Sequence, residues 1–278
     1  MTASKYLRNA ALASLFLAFC AGCVAQTQSP PSATTTYEPT VGQQGKDVVW
    51  VPTPQALVDK MLDMAKLTPR DYLIDLGSGD GRTVITAAKR GSRALGIEYN
   101  PNMVELSKRN AAREGVTDKA SFAQADLFKS DFSRANVITM FLLPDINIKL
   151  RPKILDLAPG TRVVSNSFTM GEWTADETAN VGEGCSSWCT AYLWIVPAKV
   201  EGTWKLPQGE LQLKQQFQML SGTLQANGRT VPVDQGQVHG DEIVFTAGGL
   251  EYRGKVKGKR MEGVTHEGTA FSASKVGA

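Results

Sequence analysis

The sequence predicts an α/β chain, in which a doubly wound, mostly parallel sheet is followed by a small all-β antiparallel meander or barrel. Three observations carry that expectation. Residues 51–200 alternate apolar, strand-like runs with helical stretches, the grammar of a parallel sheet covered by helices on both faces. The first of these runs, "YLIDLGSGDGR", breaks into alternating glycines where a strand hands over to a helix. After residue 200 the runs become short, keep a period near two and are punctuated by glycine turns.

At the N-terminus, Lys5 and Arg8 precede the apolar run "AALASLFLAFCAG", too short to cross a bilayer and ending in small residues, which is the layout of a signal peptide. The "CAGC" that ends at Cys23 resembles a bacterial lipobox, with Cys20 where that pattern usually has leucine. The resemblance implies lipidation of Cys23, a membrane lipid anchor and export to the periplasmic face of a bacterial membrane as a lipoprotein. Cleavage after Ala25, giving a soluble periplasmic protein, is the alternative. Residues 1–25 are therefore read as signal and the Thr/Ser/Pro/Gln-rich residues 26–45 as a flexible linker. The α/β domain is expected at 46–200 and a separate β unit at 201–278.

Within the α/β part, Thr53 is expected as the N-cap and Pro54 as the first residue of a helix whose Leu57, Val58, Met61, Leu62 and Ala65 recur at helical spacing. Strands follow at "YLIDLG", "RALGIEYN", "ASFAQADLF", "NVITMFLL", "TRVVSNSF" and "AYLWIVPAKV", with helices near 82–90 and 101–114. In the β part, Leu211, Leu213, Phe217 and Met219 are expected on one face of a strand pair.

Composition narrows the function. The net charge of +3 falls to +1 once the two cations of the signal are removed, which gives no support for nucleic acid as a partner. The basic run "RGKVKGKR" reads as a solvated hairpin. Beyond the signal the only cysteines are Cys185 and Cys189, which an oxidising compartment would let form a disulfide across a tight turn; two free thiols are the other reading. The only histidines, His239 and His266, lie far from them, so no metal site is expected, and without a G-x-S-x-G elbow a hydrolase is disfavoured.

Gly77, Gly79 and Gly81 form G-x-G-x-G, in which missing side chains let the backbone turn sharply and approach a ligand at a helix start. A dinucleotide fingerprint would place its third glycine at position 82, which is Arg82, so the spacing tilts against NAD. Asp75 lies just before the loop, Glu98 ends the second strand and Asp126 ends the third. Carboxylates at three successive strand ends converge on one crevice, where they can accept hydrogen bonds from an amine, a ribose diol and an adenine amino group.

These motifs resemble those of the class I S-adenosylmethionine-dependent methyltransferases, which implies a Rossmann-like doubly wound methyltransferase sheet and S-adenosyl-L-methionine as cofactor. Within that superfamily "VPTPQALVDKML", "DLGSGDGRTVITAAKRG", "FLLPDINIKLRPKI" and "GTRVVSNSF" are similar to the small seven-strand protein-lysine methyltransferases best known from mitochondria. By this resemblance Gly77, Ser78 and Gly79 line the cofactor, Asp75 lies near its amino-acid end, Glu98 holds the ribose hydroxyls and Asp126 the adenine, with Leu127 beside the ring. It implies N-methylation of lysine in a protein substrate, with the acceptor near residues 141–147. Asp145 and Asn147 are the polar catalytic candidates there, although a helix N-cap is the plain reading of Asp145. Trp50 and Tyr37 are candidates for an aromatic lid. The rival function is an exported, membrane-anchored binding module of the same fold with lost or altered catalysis, motivated by the cytoplasmic origin of the cofactor.

Overall fold

A computed structural model of the protein describes residues 37–277, which belong to the compact unit Tyr37–Ala278. The signal, Cys23 and residues 26–36 of the expected linker lie outside the described residues.

Helix α1 (Gln55–Met64) forms as its periodicity predicts, burying Leu57, Val58, Met61 and Leu62. Its start differs from the expectation. Pro54 occupies the cap position and no side chain caps the helix. Thr53 is instead buried as a connector: its hydroxyl accepts from Asn166 Nδ2 at 3.2 Å and its carbonyl from Arg82 at 2.9 Å. Strand β1 (Tyr72–Leu76) then feeds α2 (Arg82–Lys89), β2 (Arg93–Glu98), α3 (Pro101–Arg113) and β3 (Ala120–Gln124). Asn100 caps α3 by accepting from the Asn102 amide, with Pro101 pre-setting the first turn.

Next come β4 (Val137–Met140), α4 (Pro144–Leu155), β5 (Arg162–Asn166), β6 (Glu177–Asn180) and β7 (Thr190–Ile195). The seven strands pair in the order β3-β2-β1-β4-β5-β7-β6; the first five are parallel, and β7 and β6 close one edge antiparallel. Strand β6, "ETAN", carries no apolar run and was not anticipated; pairing with β7 creates it. Helices α1 and α2 cover one face through a core that includes Leu73 and Val84, and α4 covers the other through Ile146, Leu150 and Ile154 with Ile74 and Leu76. Strand order reverses between β1 and β4, so the ligand crevice of such a sheet falls at the carboxyl ends of those two strands.

From residue 202 the chain forms eight antiparallel strands: β8 (Gly202–Leu206), β9 (Gly209–Gln216), β10 (Met219–Ala226), β11 (Arg229–His239), β12 (Glu242–Ala247), β13 (Leu250–Lys257), β14 (Arg260–Thr265) and β15 (Ala270–Lys275). Strand β15 pairs back onto β8, so the meander is a closed barrel with no free edge. Trp204, Phe245, Tyr252, Phe271 and Met261 fill its interior.

Two details correct the period-two reading. Phe217 lies in the turn between β9 and β10 at φ 55°, and Met219 is exposed, so neither joins Leu211 and Leu213 inside. The barrel has a core of its own and packs against the sheet through the turn that carries Phe217. Phe217 stacks on the buried Trp173 with ring centroids 6.0 Å apart, and Gln218 Nε2 donates to the Thr174 carbonyl at 2.8 Å.

Residues 37–45, expected as linker, are also structured. Gly42 N donates to the Trp50 carbonyl and Trp50 N to the Gln43 carbonyl, folding residues 42–50 into a strap that returns over the sheet.

Candidate functional site

The strap, the glycine loop and the segment after β4 enclose one cavity of about 400 Å³ at the switch point. Gly77 and Gly79 are among the residues that line it. At Gly79 (φ 54°) a Cβ would stand 2.7 Å from Trp50 Nε1, so the loop and the strap meet in a space that only glycine leaves free. Gly81, the N-cap of α2 at φ 83°, lies equally close to Phe122. Ser78 lines the cavity, but its hydroxyl is buried without a hydrogen-bond partner and packs over Gly96, where a Cβ would come within 2.5 Å of it.

Each cofactor-side residue singled out from the sequence borders this cavity: Asp75, Gly77, Ser78, Gly79, Glu98, Asp126 and Leu127. Glu98 spans the loop, accepting from the Gly79 amide at 3.0 Å and from the Asn100 amide at 2.9 Å. It thereby ties the end of β2 to the glycine turn, and its remaining lone pairs are available to hydroxyl donors. Asp126 lies just beyond β3. One of its oxygens accepts from the Phe128 amide at 3.0 Å and the other from Lys46 Nζ at 2.9 Å. The Lys46 hydrogen bond, with the Phe128 amide, holds the Asp126 carboxyl below the usual carboxylate range.

Asp75 is in the opposite condition. Full burial at the end of β1 pushes its carboxyl up to about 7, against the Thr139 hydroxyl that donates to it at 2.6 Å, while Glu98 and Asp80 add like charge. A buried carboxyl raised this far beside a cavity is a group whose ionised form a cationic ligand would favour.

The two catalytic candidates fall elsewhere. Asp145 is exposed in the first turn of α4, where Leu143 is the cap residue, and it does not border the cavity. Asn147 is completely buried and donates to the Phe168 and Thr169 carbonyls at 3.3 and 3.2 Å, bracing the segment after β5. Helical spacing explains Asp145: Ile146 faces the core and the cavity, which turns its neighbour Asp145 away from them. Of the two lid candidates, Trp50 covers the loop, whereas Tyr37 accepts from Gln43 Nε2 outside the cavity.

The sequence reading missed several residues that the fold brings in. Lys46 and Tyr99 close the Asp126 end, with Nζ 4.6 Å from the Tyr99 ring centroid. Phe168 and Trp188 join Phe141 at the other end. Trp188 lies between Cys185 and Cys189, which form a disulfide. A tryptophan inside so short a cysteine spacing was the available signal. Among the described residues there is no cluster of metal-ligating side chains.

With this geometry in view, the likenesses to known proteins are specific. The model of the ANTKMT methyltransferase domain matches residues 75–177, ending before the barrel. The protein-lysine N-methyltransferase of Saccharolobus islandicus is 41% identical over 152 residues, which is 54% of this chain and 94% of that protein. The adenine nucleotide translocase lysine N-methyltransferase of Mus musculus is 36% identical over 129 residues, 46% of this chain and 55% of that protein. Among solved structures, the RNA methyltransferase from Salinibacter ruber, crystallised with S-adenosyl-L-homocysteine, is 47% identical with a TM-score of 0.51, covering 54% of this chain and 96% of that one.

The glycine-lined crevice at the switch point and these relatives together define the class: an S-adenosylmethionine-dependent methyltransferase with the class I sheet. More narrowly, the chain belongs to the family of the archaeal protein-lysine N-methyltransferase, whose length it covers almost completely, and residues 75–177 match the ANTKMT methyltransferase domain.

Proposed function

We propose that the protein methylates the ε-amine of lysine in a protein substrate, with the described cavity holding both the cofactor and the acceptor side chain. The observation that carries this reading is the division of one cavity into two chemistries. Glu98 and Asp126 offer acceptors at one end, while Phe141, Leu143, Phe168 and Trp188 make the other apolar. The first end suits a nucleoside with hydroxyl and amino donors, and the second an aliphatic side chain that carries its nitrogen inward. The named activities of the archaeal and mouse relatives support lysine as the acceptor.

In this reading the Gly77, Ser78 and Gly79 main chain cradles the cofactor and Asp75 lies at its amino-acid end. Glu98 takes the ribose hydroxyls, and Asp126 takes the adenine amine beside Leu127. S-adenosylmethionine supplies an electrophilic methyl group on a sulfonium, so the chain's own residues mainly orient the reactants and exclude water. Lysine must lose a proton from an amine of ordinary pKa about 10.4, and desolvation against the apolar end lowers that value. We propose further that the enzyme is exported and anchored through lipidated Cys23; Lys5, Arg8, the apolar run and "CAGC" support this, as does a disulfide, which suits an oxidising compartment.

Calorimetry with S-adenosyl-L-homocysteine should show saturable binding, weakened tenfold or more by Glu98→Ala or Asp126→Ala, as expected for lost hydrogen bonds to charged groups. Labelled cofactor with a bacterial envelope extract, followed by mass spectrometry, should place the methyl group on lysine. Label found in RNA instead would overturn the lysine reading. A Cys23→Ser variant that still fractionates with membranes would overturn the anchor.

A further inference from the structure

Strands β6 and β7 are joined by residues 181–189, whose ends are pinned by the Val181 N to Cys189 carbonyl hydrogen bond and whose second half is closed by the Cys185–Cys189 disulfide. Trp188, inside the ring that the disulfide closes, has a φ of 59°, a conformation that bulky L-residues rarely adopt. Such an outlier persists where its surroundings impose it, and it marks a segment whose shape has been fixed at a cost. The consequence here is the position of the indole. It remains 46% exposed, yet it borders the cavity and lies 5.9 Å from Phe141 and 5.3 Å from Phe168, centroid to centroid. Phe141 and Phe168 are themselves stacked at 5.9 Å. Ser167, next to Phe168, is also left-handed, at φ 57°.

Three rings from three separate elements, the ends of β4 and β5 and the β6–β7 loop, therefore make a continuous aromatic wall at the mouth of the cavity. The rings touch one another, so a substrate lies along their faces and does not pass between them. A flat aromatic face suits the methylene stem of an acceptor and attracts the ammonium or methylammonium at its end. The wall belongs to the cavity that also holds Asp75 and the glycine loop, which fixes its occupant as the second reactant.

We propose that the disulfide-closed loop is the acceptor-recognition element of this enzyme: it lays Trp188 beside Phe141 and Phe168 to form the wall that seats the lysine side chain, and without the disulfide that wall comes apart. The proposal rests on the lysine reading above and adds the residues that select the acceptor.

The test uses the full chain, labelled cofactor and two acceptor probes, a bacterial envelope extract and poly-L-lysine. Acceptor labelling by Trp188→Ala should fall at least tenfold while its affinity for S-adenosyl-L-homocysteine, read by calorimetry, stays that of the wild type. Trp188→Phe should restore most of the labelling, and the Cys185→Ser/Cys189→Ser double variant should fall toward Trp188→Ala. Wild-type labelling by Trp188→Ala, or loss of its cofactor affinity in parallel, overturns the proposal alone. If the wild-type enzyme labels neither probe, or labels a site other than lysine, the lysine reading fails and takes this proposal with it.

Discussion

At Gly79 the loop's function depends on an absent atom. Alanine there would place a methyl group 2.7 Å from the Trp50 indole and hold a residue with a Cβ at φ 54°, a backbone cost of about 1–2 kcal/mol. Gly79→Ala should therefore lower stability by that amount in urea titrations and weaken S-adenosyl-L-homocysteine about tenfold by calorimetry, as 1.4 kcal/mol of lost fit implies. Asp75 makes a prediction in pH. Its carboxyl sits near 7 when folded because it is buried, against about 3.9 when unfolded. Between those values the folded chain keeps a proton that the unfolded chain has lost, so the group's stabilising contribution is complete below pH 4 and disappears as the pH rises to 7. Wild-type stability should decline relative to Asp75→Asn across that window, by up to about 1.4 kcal/mol per pH unit, and the difference should level off above pH 7. A cationic cofactor should reverse the effect of burial, so binding at pH 6 should release a proton, seen as buffer-dependent calorimetric heats.

Among the elements, the strap is the most consequential for access. It carries Lys46 onto Asp126, the carboxylate assigned to the adenine amine, in an ion pair that solvent reaches. The two donors compete for one oxygen, so Lys46→Ala should tighten S-adenosyl-L-homocysteine binding, by no more than about fivefold given how little exposed ion pairs contribute. Raising the salt concentration should have the same direction of effect on the wild type and none on the variant, because screening weakens only the pair. The strap was not legible in the sequence. Its Gln and Gly residues have the composition of a tether, and what orders them is the hydrogen bonding of Gly42 and Gln43 with Trp50 and the reach of Lys46 to Asp126. The helices and parallel strands were legible, since each repeats its apolar residues at its own period. Strand β6 was not, because its four residues carry no such period.

For the whole molecule, the barrel docks through two turns: at β11–β12 the Ala198 amide donates to the Gly240 carbonyl at 2.7 Å and His239 Nδ1 lies 3.7 Å from Asp176 Oδ1, and the β9–β10 turn makes the second contact. Phe217 stacks on Trp173 with the Arg151 guanidinium 5.0 Å from its ring, and Gln218 reaches the Thr174 carbonyl. Phe217→Ala should cost roughly 1–3 kcal/mol, less than a fully buried phenylalanine. Combined with Gln218→Ala it should broaden the calorimetric unfolding transition, because each part keeps its own core and only the Gly240 turn still joins them. The family model ends at residue 177, before the barrel begins. Sequence alone determined the doubly wound sheet, the all-β tail, the glycine loop, and the positions of Glu98 and Asp126 at strand ends. Those features are written in spacings of a few residues, where backbone geometry leaves one outcome. Only the tertiary structure decided that Asp145 and Asn147 lie outside the cavity, that Phe217 faces the sheet, that Lys46 meets Asp126 and that Trp188 joins Phe141 and Phe168. These are meetings of distant segments, 80 positions apart for Lys46 and Asp126, and no local period or motif encodes which of many polar or aromatic residues packing will bring together.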